Sequence, residues 1–137
     1  MIYVSLKELF YRIFRSFDTI WANRRVEAVK QINCCSRPKL YIVKTIYEAS
    51  HDAEWLQQCR KCKIYWFKRF YEWVDWSGGD DEITTWYTKL TEDEAKIILQ
   101  AKKRNDLDLS YLKDRETIMD DGSSIKITKG QPTSPSR

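Results

Sequence analysis

The 137-residue sequence contains only one histidine, four glycines and three prolines. It has no Gly-rich phosphate loop, no nucleophile motif and no paired-histidine metal site. A single histidine leaves little side-chain capacity for acid–base catalysis beyond a role as a metal ligand. Because these common signatures of catalysis are missing, we expect a protein that is not an enzyme.

Long apolar runs are also missing. No stretch approaches the roughly 18 apolar residues that a membrane-spanning helix needs. No secretory signal peptide is visible, because the apolar residues at the N-terminus are interrupted by Lys7, Glu8, Arg12 and Arg15. We therefore expect a cytoplasmic, reducing environment, where a Cys-x-x-Cys pair more often binds a metal or acts in catalysis than forms a disulfide.

The composition that is present suffices for one folded domain. Hydrophobic residues make up 42% and aromatic residues 14% of the chain, well above what disordered chains carry. The net charge of +4 is unevenly placed, since residues 1–39 carry eight Lys and Arg against three Asp and Glu. This local excess indicates an anionic partner for the N-terminal part.

The most regular pattern lies at residues 64–90. Residues 64–76 are β-branched or aromatic at almost every second position, as are residues 83–90, so both segments are predicted strands. Residues 77–82 contain two glycines and two aspartates, which favour turns. The sequence therefore predicts a β-hairpin with two aromatic faces, one on the core and one covered by a helix or by a partner.

A Cys-x-x-Cys pair, Cys59 and Cys62, lies directly before this hairpin. Two such thiolates can bind one Zn²⁺, and a structural site then needs two further ligands. The remaining candidates include two adjacent cysteines, whose side chains point apart in an extended chain. The sequence predicts a zinc site formed by Cys35, His51, Cys59 and Cys62, with Cys34 as the substitute for Cys35. Unligated buried thiols and redox or disulfide chemistry are the alternatives.

A Cys-Arg-Lys-Cys segment followed by an aromatic strand resembles the second knuckle of a zinc ribbon, as found in many small phage and bacterial proteins. The resemblance covers roughly residues 34–90. The first knuckle of a zinc ribbon is Cys-x-x-Cys or Cys-x-x-His, whereas this chain has two adjacent cysteines. What the resemblance implies is a structural zinc ion and a regulatory setting that involves nucleic acid or the transcription machinery.

Basic and aromatic residues alternate around the Cys-x-x-Cys pair. Cations contact phosphates, and aromatic faces stack on unpaired bases. The predicted nucleic-acid-binding residues are Arg60, Lys61, Lys63, Tyr65, Phe67, Lys68 and Arg69. In the alternative interpretation the aromatic residues belong to the core, and the cations form a solvated rim.

Residues 2–21 place their apolar side chains within a helical arc of about 140°, which predicts an amphipathic helix. This helix packs on the aromatic sheet, binds a partner or a second copy, or lies in the plane of a membrane. The helical phase is lost at residues 23–25, so a bend or a second short helix at residues 26–32 is expected.

Further elements complete the predicted fold. Residues 40–47 form a strand, and Thr91 with Glu94 forms a capping box that begins a helix extending to about Arg104. A small hairpin is predicted at residues 117–119 and 124–128. The fold class is thus α+β, with a small antiparallel zinc-ribbon-like sheet, an N-terminal amphipathic helix and a helix after the hairpin. The predicted boundaries are a helical arm packed on the core (1–33), a zinc-ribbon-like domain (34–128) and a disordered tail (129–137).

The expected function is a non-enzymatic regulatory binding module that contacts nucleic acid or the transcription machinery. The alternative is a phage-type protein inhibitor of a host or defence enzyme, acting through an aromatic protein–protein interface. An enzyme whose zinc keeps an open coordination position is a third class, and it requires that His51 is not a ligand. Nucleic-acid binding would weaken steeply with salt, whereas an aromatic protein interface would not.

Overall fold

The computed structural model describes residues 27–28 and 32–132. The strands are β1 (Glu27–Ala28), β2 (Lys39–Glu48), β3 (Asp52–Cys59), β4 (Tyr65–Trp73), β5 (Glu82–Leu90), β6 (Glu116–Asp120) and β7 (Ile125–Lys129). One α-helix, α1 (Glu92–Gln100), and two 3-10 turns (Arg104–Asp106 and Ser110–Lys113) lie between β5 and β6.

The strands form one antiparallel sheet whose order equals their order in the sequence. Each strand pairs with the next one along the chain, so the sheet is a meander. The predicted aromatic hairpin is confirmed as β4 and β5, which pair from Tyr65 opposite Leu90 to Trp73 opposite Glu82. The pairing of β2 with β3 contains two register shifts.

The two faces of the sheet are covered differently. The face that we call the cysteine face carries a buried cluster of Ile32, Leu40, Cys59, Trp66, Tyr87 and Ile118. The opposite face, the helix face, is covered by α1 and the turns after it, and its buried cluster comprises Leu56, Phe67, Leu90, Ala95, Ile98, Leu109 and Leu112. Because side chains alternate along a strand, neighbouring aromatic residues such as Trp66 and Phe67 belong to different clusters. This arrangement explains why both predicted faces of the hairpin are aromatic.

Helix α1 is fixed at both ends. At its start, the hydroxyl of Thr91 accepts from the backbone N–H of Glu94, and the Glu94 carboxylate accepts from the backbone N–H of Thr91. The predicted capping box is therefore confirmed. At its end, the ammonium of Lys44 donates to the carbonyl oxygens of Ile98 and Ala101 at 2.8 and 2.6 Å. A cation from β2 thus satisfies the carbonyl groups that a helix leaves unpaired.

A buried ion-pair network joins the sheet to the segment after α1. Glu54 is fully buried and receives hydrogen bonds from Arg69 at 3.2 Å and from Arg104 at 2.6 Å. Burial lowers the pKa of the Arg69 guanidinium, and the negative charges of Glu54 and Asp52 oppose this effect. Arg69 therefore keeps its charge in the interior because carboxylates lie beside it.

The predicted α+β fold class is wrong. The described chain is an antiparallel sheet with a single nine-residue α-helix. The sheet is larger than expected because residues 52–59 form a full strand and because the small hairpin (β6 and β7) pairs with β5. The short helix expected at residues 26–32 is also wrong, since Glu27–Ala28 pairs with β2 as a strand. Pairing with a neighbouring strand outweighs the weak helical preference of so short a segment.

The predicted boundaries differ from the structure at the C-terminal end. Lys129 still belongs to β7, and Gln131 is buried with its amide donating to the Thr88 hydroxyl at 2.6 Å. The predicted tail therefore begins with ordered residues. The amphipathic helix predicted at residues 2–21 lies outside the described residues. Within residues 27–28 and 32–132, no helix has the length and apolarity to cross a membrane.

The Glu54 network generates a stability prediction. Glu54→Ala leaves the Arg69 guanidinium buried without its main counter-charge, and breaking a buried pair in this way typically costs about 3–5 kcal/mol. We expect the midpoint of urea unfolding to fall clearly. Glu48→Ala removes an exposed carboxylate from the end of β2 and is the matched control. Equal midpoints for the two variants would contradict this account of the core.

Candidate metal centre and its cationic rim

The loop between β3 and β4, residues 59–64, forms a tight turn that we call the knuckle. The Cys59 N–H donates to the Ile64 carbonyl and the Lys63 N–H donates to the Cys59 carbonyl, both at 2.9 Å. Lys63 has a φ of 67°, a left-handed conformation that favours glycine over residues with a side chain. The turn brings Cys59 and Cys62 to the same side of the loop.

A second loop, residues 34–37, lies against the knuckle. It consists of successive bends rather than extended chain, and Arg37 within it has a φ of 57°. The knuckle is bonded to this loop and to the start of β2: the Lys61 ammonium donates to the Ser36 carbonyl, and the Arg60 N–H donates to the Lys39 carbonyl, both at 2.8 Å. The two cysteine-bearing loops therefore face each other at one end of the sheet, which we call the knuckle end.

The four sulfur atoms of Cys34, Cys35, Cys59 and Cys62 all lie within 4.8 Å of one another. Cys35 Sγ is 3.7 Å from Cys59 Sγ, whereas a disulfide would bring two sulfur atoms to about 2.05 Å. Four thiolates around one tetrahedral ion with metal–sulfur bonds of about 2.3 Å lie about 3.8 Å apart. The spacing therefore fits a metal ion held by four cysteines.

The acidities of the thiols differ. Burial opposes ionisation of Cys59, but hydrogen bonds from the backbone N–H groups of Cys62, Lys39 and Lys61 lower its pKa to about 6. Burial raises the pKa of Cys34 to about 12, and a hydrogen bond with Cys62 adds to this increase. Burial and hydrogen bonds with Cys59 and Cys62 also raise the pKa of Cys35. A bound divalent cation would displace the remaining thiol protons.

Trp66 packs against the cysteines from the cysteine face of the sheet. Its indole Nε1 is buried and has no partner with hydrogen-bond geometry in the described part of the chain. The same N–H opposes the increase in the pKa of Cys34, so it is directed towards that sulfur. A thiolate at Cys34 would give this buried donor an acceptor.

The structure brings three of the four predicted ligands together and places the fourth elsewhere. Cys35, Cys59 and Cys62 lie in the group, and Cys34 completes it. His51 is in the turn between β2 and β3, where its Nδ1 lies 3.1 Å from the carboxylate of Glu72. Since β3 has eight residues, His51 and Cys59 are separated by about 23 Å of strand. Both adjacent cysteines can face one ion because their loop is bent.

The predicted nucleic-acid-binding residues fall into two sets. Arg60, Lys61 and Lys63 are exposed on the knuckle, and Tyr65 is half-buried next to it. Phe67, Lys68 and Arg69 are buried in the sheet. Lys68 Nζ lies 5.3 and 5.5 Å from the ring centres of Trp55 and Tyr87, while Arg69 is paired with Glu54. This second set cannot reach phosphates, because its charges are held inside the protein.

Two exposed cations escaped the sequence analysis. Arg37 lies on the loop that carries Cys34 and Cys35, and Lys39 is the first residue of β2, shortly after that loop. Their position beside a cysteine pair parallels the position of the knuckle cations beside the other pair, and this repeated pattern is the signal that could have found them. The cationic rim, as we call it, comprises Arg37, Lys39, Arg60, Lys61 and Lys63.

No protein-family model matches the chain, and no curated protein or solved structure matches it either.

The cluster predicts which substitutions abolish metal binding. Cys34→Ser and Cys59→Ser each remove one of the four sulfur donors, so we expect both variants to lose the single bound ion. His51→Ala should retain it, because His51 lies at the other end of β3. Native mass spectrometry with and without a chelator measures the bound metal. Retention of metal by Cys34→Ser together with its loss from His51→Ala would refute the four-cysteine arrangement.

The position of Trp66 predicts a change in metal affinity. Trp66→Phe keeps most of the packing but removes the N–H directed towards Cys34, and loss of such an outer partner typically costs about 10–100-fold in metal affinity. Trp55→Phe changes a half-buried tryptophan on the same face, away from the cysteines, and should leave the affinity unchanged. Competition with a chromophoric chelator measures both. Equal affinities would show that the Trp66 N–H does not support the site.

Proposed function

We propose that the chain is a non-enzymatic binding module, in which a structural Zn²⁺ joins the two cysteine loops and the cationic rim contacts nucleic acid. The observation that carries the proposal is the distribution of charge at the knuckle end. All five rim cations are exposed, and residues 33–47 and 55–71 contain no Asp or Glu. An anion that approaches this end of the sheet therefore meets positive charge on both loops.

Zinc is the metal that the donor set favours. Four sulfur ligands in a tetrahedral arrangement are typical of zinc or of iron–sulfur centres, and four cysteines in two short loops are a common structural zinc site. Four protein ligands leave no open coordination position for a substrate or a water molecule. This closed ligand set supports a structural role for the ion and argues against metal-dependent catalysis.

The charges of the rim exceed those of the metal centre. Four thiolates and one Zn²⁺ carry a net charge of about −2, and the five rim cations carry +5, which leaves about +3 on the two cysteine-bearing segments. Two or three of these cations would suffice to balance the metal centre. The surplus supports a second role in binding an external polyanion such as the phosphate backbone.

Aromatic side chains lie next to the rim on the helix face. Tyr41 and Tyr65 are both half-buried, and the Arg60 guanidinium lies 5.9 Å from the centre of the Tyr41 ring. Partly exposed aromatic rings beside cations can stack on unpaired bases. These two tyrosines favour a single strand over a duplex as the ligand.

Contact with the transcription machinery, by contrast, rests on the zinc-ribbon resemblance alone and stays a prediction, as does a cytoplasmic location.

The function is tested with a charge-neutralised rim. Lys61→Gln combined with Lys63→Gln removes two cations and leaves a neutral side chain with an N–H donor at each position. Each phosphate contact contributes about 0.7 to the slope of log affinity against log salt for a single strand. We expect weaker binding of a single-stranded oligonucleotide and a slope that is smaller by about 1.4, with metal content unchanged.

The matched control is Lys102→Gln combined with Lys103→Gln, which removes the same charge from exposed positions after α1. This variant should bind the oligonucleotide as the native protein does, since its changes lie away from the rim. Equal loss of affinity in both variants would show that net charge alone causes the binding. Failure of the native, metal-loaded protein to bind at low salt would refute the nucleic-acid proposal.

A further inference from the structure

The opposite end of the β4–β5 hairpin has a surface of a different character. The knuckle precedes the first residue of β4, and the connection from β4 to β5 begins after its last. Since β4 contains nine residues, the two ends are separated by about 26 Å. We call residues 73–83 the hairpin tip.

Large hydrophobic side chains are exposed at the hairpin tip. Trp76 is 87% exposed, Trp73 is 54% exposed and Ile83 is 45% exposed. The Trp73 ring lies 4.4 Å from the Tyr71 ring, centre to centre. Tryptophan is enriched at protein interfaces because its large ring contributes binding energy at a low entropic cost. Such a group of exposed rings at the end of a rigid hairpin indicates a contact surface.

The charged side chains of the hairpin itself have one sign at this end. Residues 70–88 contain no Lys or Arg, and their acidic residues are Glu72, Asp75, Asp80, Asp81 and Glu82. Several of these carboxylates have structural partners: Glu72 lies beside His51, and Asp81 accepts from the Asp75 N–H at 2.9 Å. Asp80 and Glu82 are exposed. The surface therefore attracts cations and repels nucleic acid and anionic membranes.

The loop that carries the rings has a defined conformation. The Asp75 carboxylate accepts from the Ser77 N–H at 2.9 Å and from the Ser77 hydroxyl at 2.5 Å. Hydrogen bonds from Ser77 and Gly79 lower the pKa of Asp75, so it stays ionised. A Cβ atom at Gly79 would lie 2.1 Å from the Asp75 carboxylate oxygen, so a larger residue there would displace the Asp75 side chain. These contacts hold the residues on either side of Trp76, Asp75 and Ser77, in a defined position.

We propose that the hairpin tip is a docking surface for a basic protein segment whose Lys or Arg side chains lie over Trp73 and Trp76. A tryptophan ring is the best aromatic partner for a cation, and exposed carboxylates beside it add charge complementarity. The proposal is independent of the metal centre and of nucleic-acid binding, because it concerns the other end of the sheet.

The test uses the full chain and a ten-residue peptide of alternating Arg and Gly. The indole N–H signals in a nitrogen–proton correlation spectrum, assigned by substitution of each tryptophan, report binding even when it is weak. The peptide should shift the signals of Trp73 and Trp76. The same peptide with Gln in place of Arg should not, since it lacks the cations. Equal shifts with the Gln peptide, or no shift at the hairpin tip with either peptide, would overturn the proposal.

A pair of variants separates local charge from net charge. Asp80→Asn combined with Glu82→Gln removes two exposed carboxylates from the hairpin tip, and the affinity for the Arg peptide should fall about five-fold, as expected for two exposed ion pairs. Glu92→Gln combined with Asp93→Asn removes the same charge from the first turn of α1 and should have little effect. Equal affinities in the two variants would overturn the proposal. Shifts of the same two signals by anionic lipid vesicles would do so too.

Discussion

Four sulfur atoms within 4.8 Å of one another impose the constraint on which the knuckle end depends. They can all ionise only if a cation neutralises them, because neighbouring like charges oppose ionisation. These cysteines come from two loops that are far apart in sequence, so an ion bound there would join the entry to β2 to the β3–β4 connection. Closing such a long loop restricts the unfolded chain and stabilises the folded one. Metal binding and the folding of this part of the sheet would then depend on each other.

Because the sheet is a meander, the constraint acts at one end of the molecule, and the other end has a different character. Because every strand pairs with its neighbour along the chain, each connection lies at one end of the sheet or the other. The knuckle gathers cations around sulfur, and the other end of the same hairpin gathers carboxylates around tryptophan. The length of β4 keeps the two sets of charges about 26 Å apart. Each end therefore presents its own charge at a distance from the opposite charge.

Local patterns in the sequence were informative where neighbouring residues decide the structure. The aromatic hairpin, the capping box of Thr91 and Glu94, and the Cys59–Cys62 turn depend on contacts within a few residues, and all three occur as expected. The small hairpin near residue 120 also forms, but its pairing with β5 is a long-range contact that no local pattern reveals. The α+β prediction failed for this reason.

The predicted ligand set differs from the observed cysteine group because of geometry rather than chemistry. His51 was favoured because adjacent cysteines diverge in an extended chain, yet residues 34–37 are bent and both sulfurs turn inward. Strand length could have excluded His51, since a hairpin of β2 and β3 places its turn far from Cys59. Lys68 and Arg69 were predicted to contact nucleic acid, and this prediction has a different physical reason for its disagreement with the structure. Their charges are held inside the sheet by Trp55, Tyr87 and Glu54, and alternation alone does not distinguish a buried cation from an exposed one.

Two cations of the rim have an energetically unfavourable backbone conformation. In the described part of the chain, the non-glycine residues with positive φ are Arg37 and Lys63, and both are rim cations. The left-handed conformation costs a residue with a side chain about 1–2 kcal/mol, which glycine would avoid. A redesign that optimised stability alone would choose glycine at both positions and would remove two of the five rim charges. Substitutions that raise thermostability at this end of the protein would therefore lower its positive surface potential. A more stable version would carry fewer positive charges there.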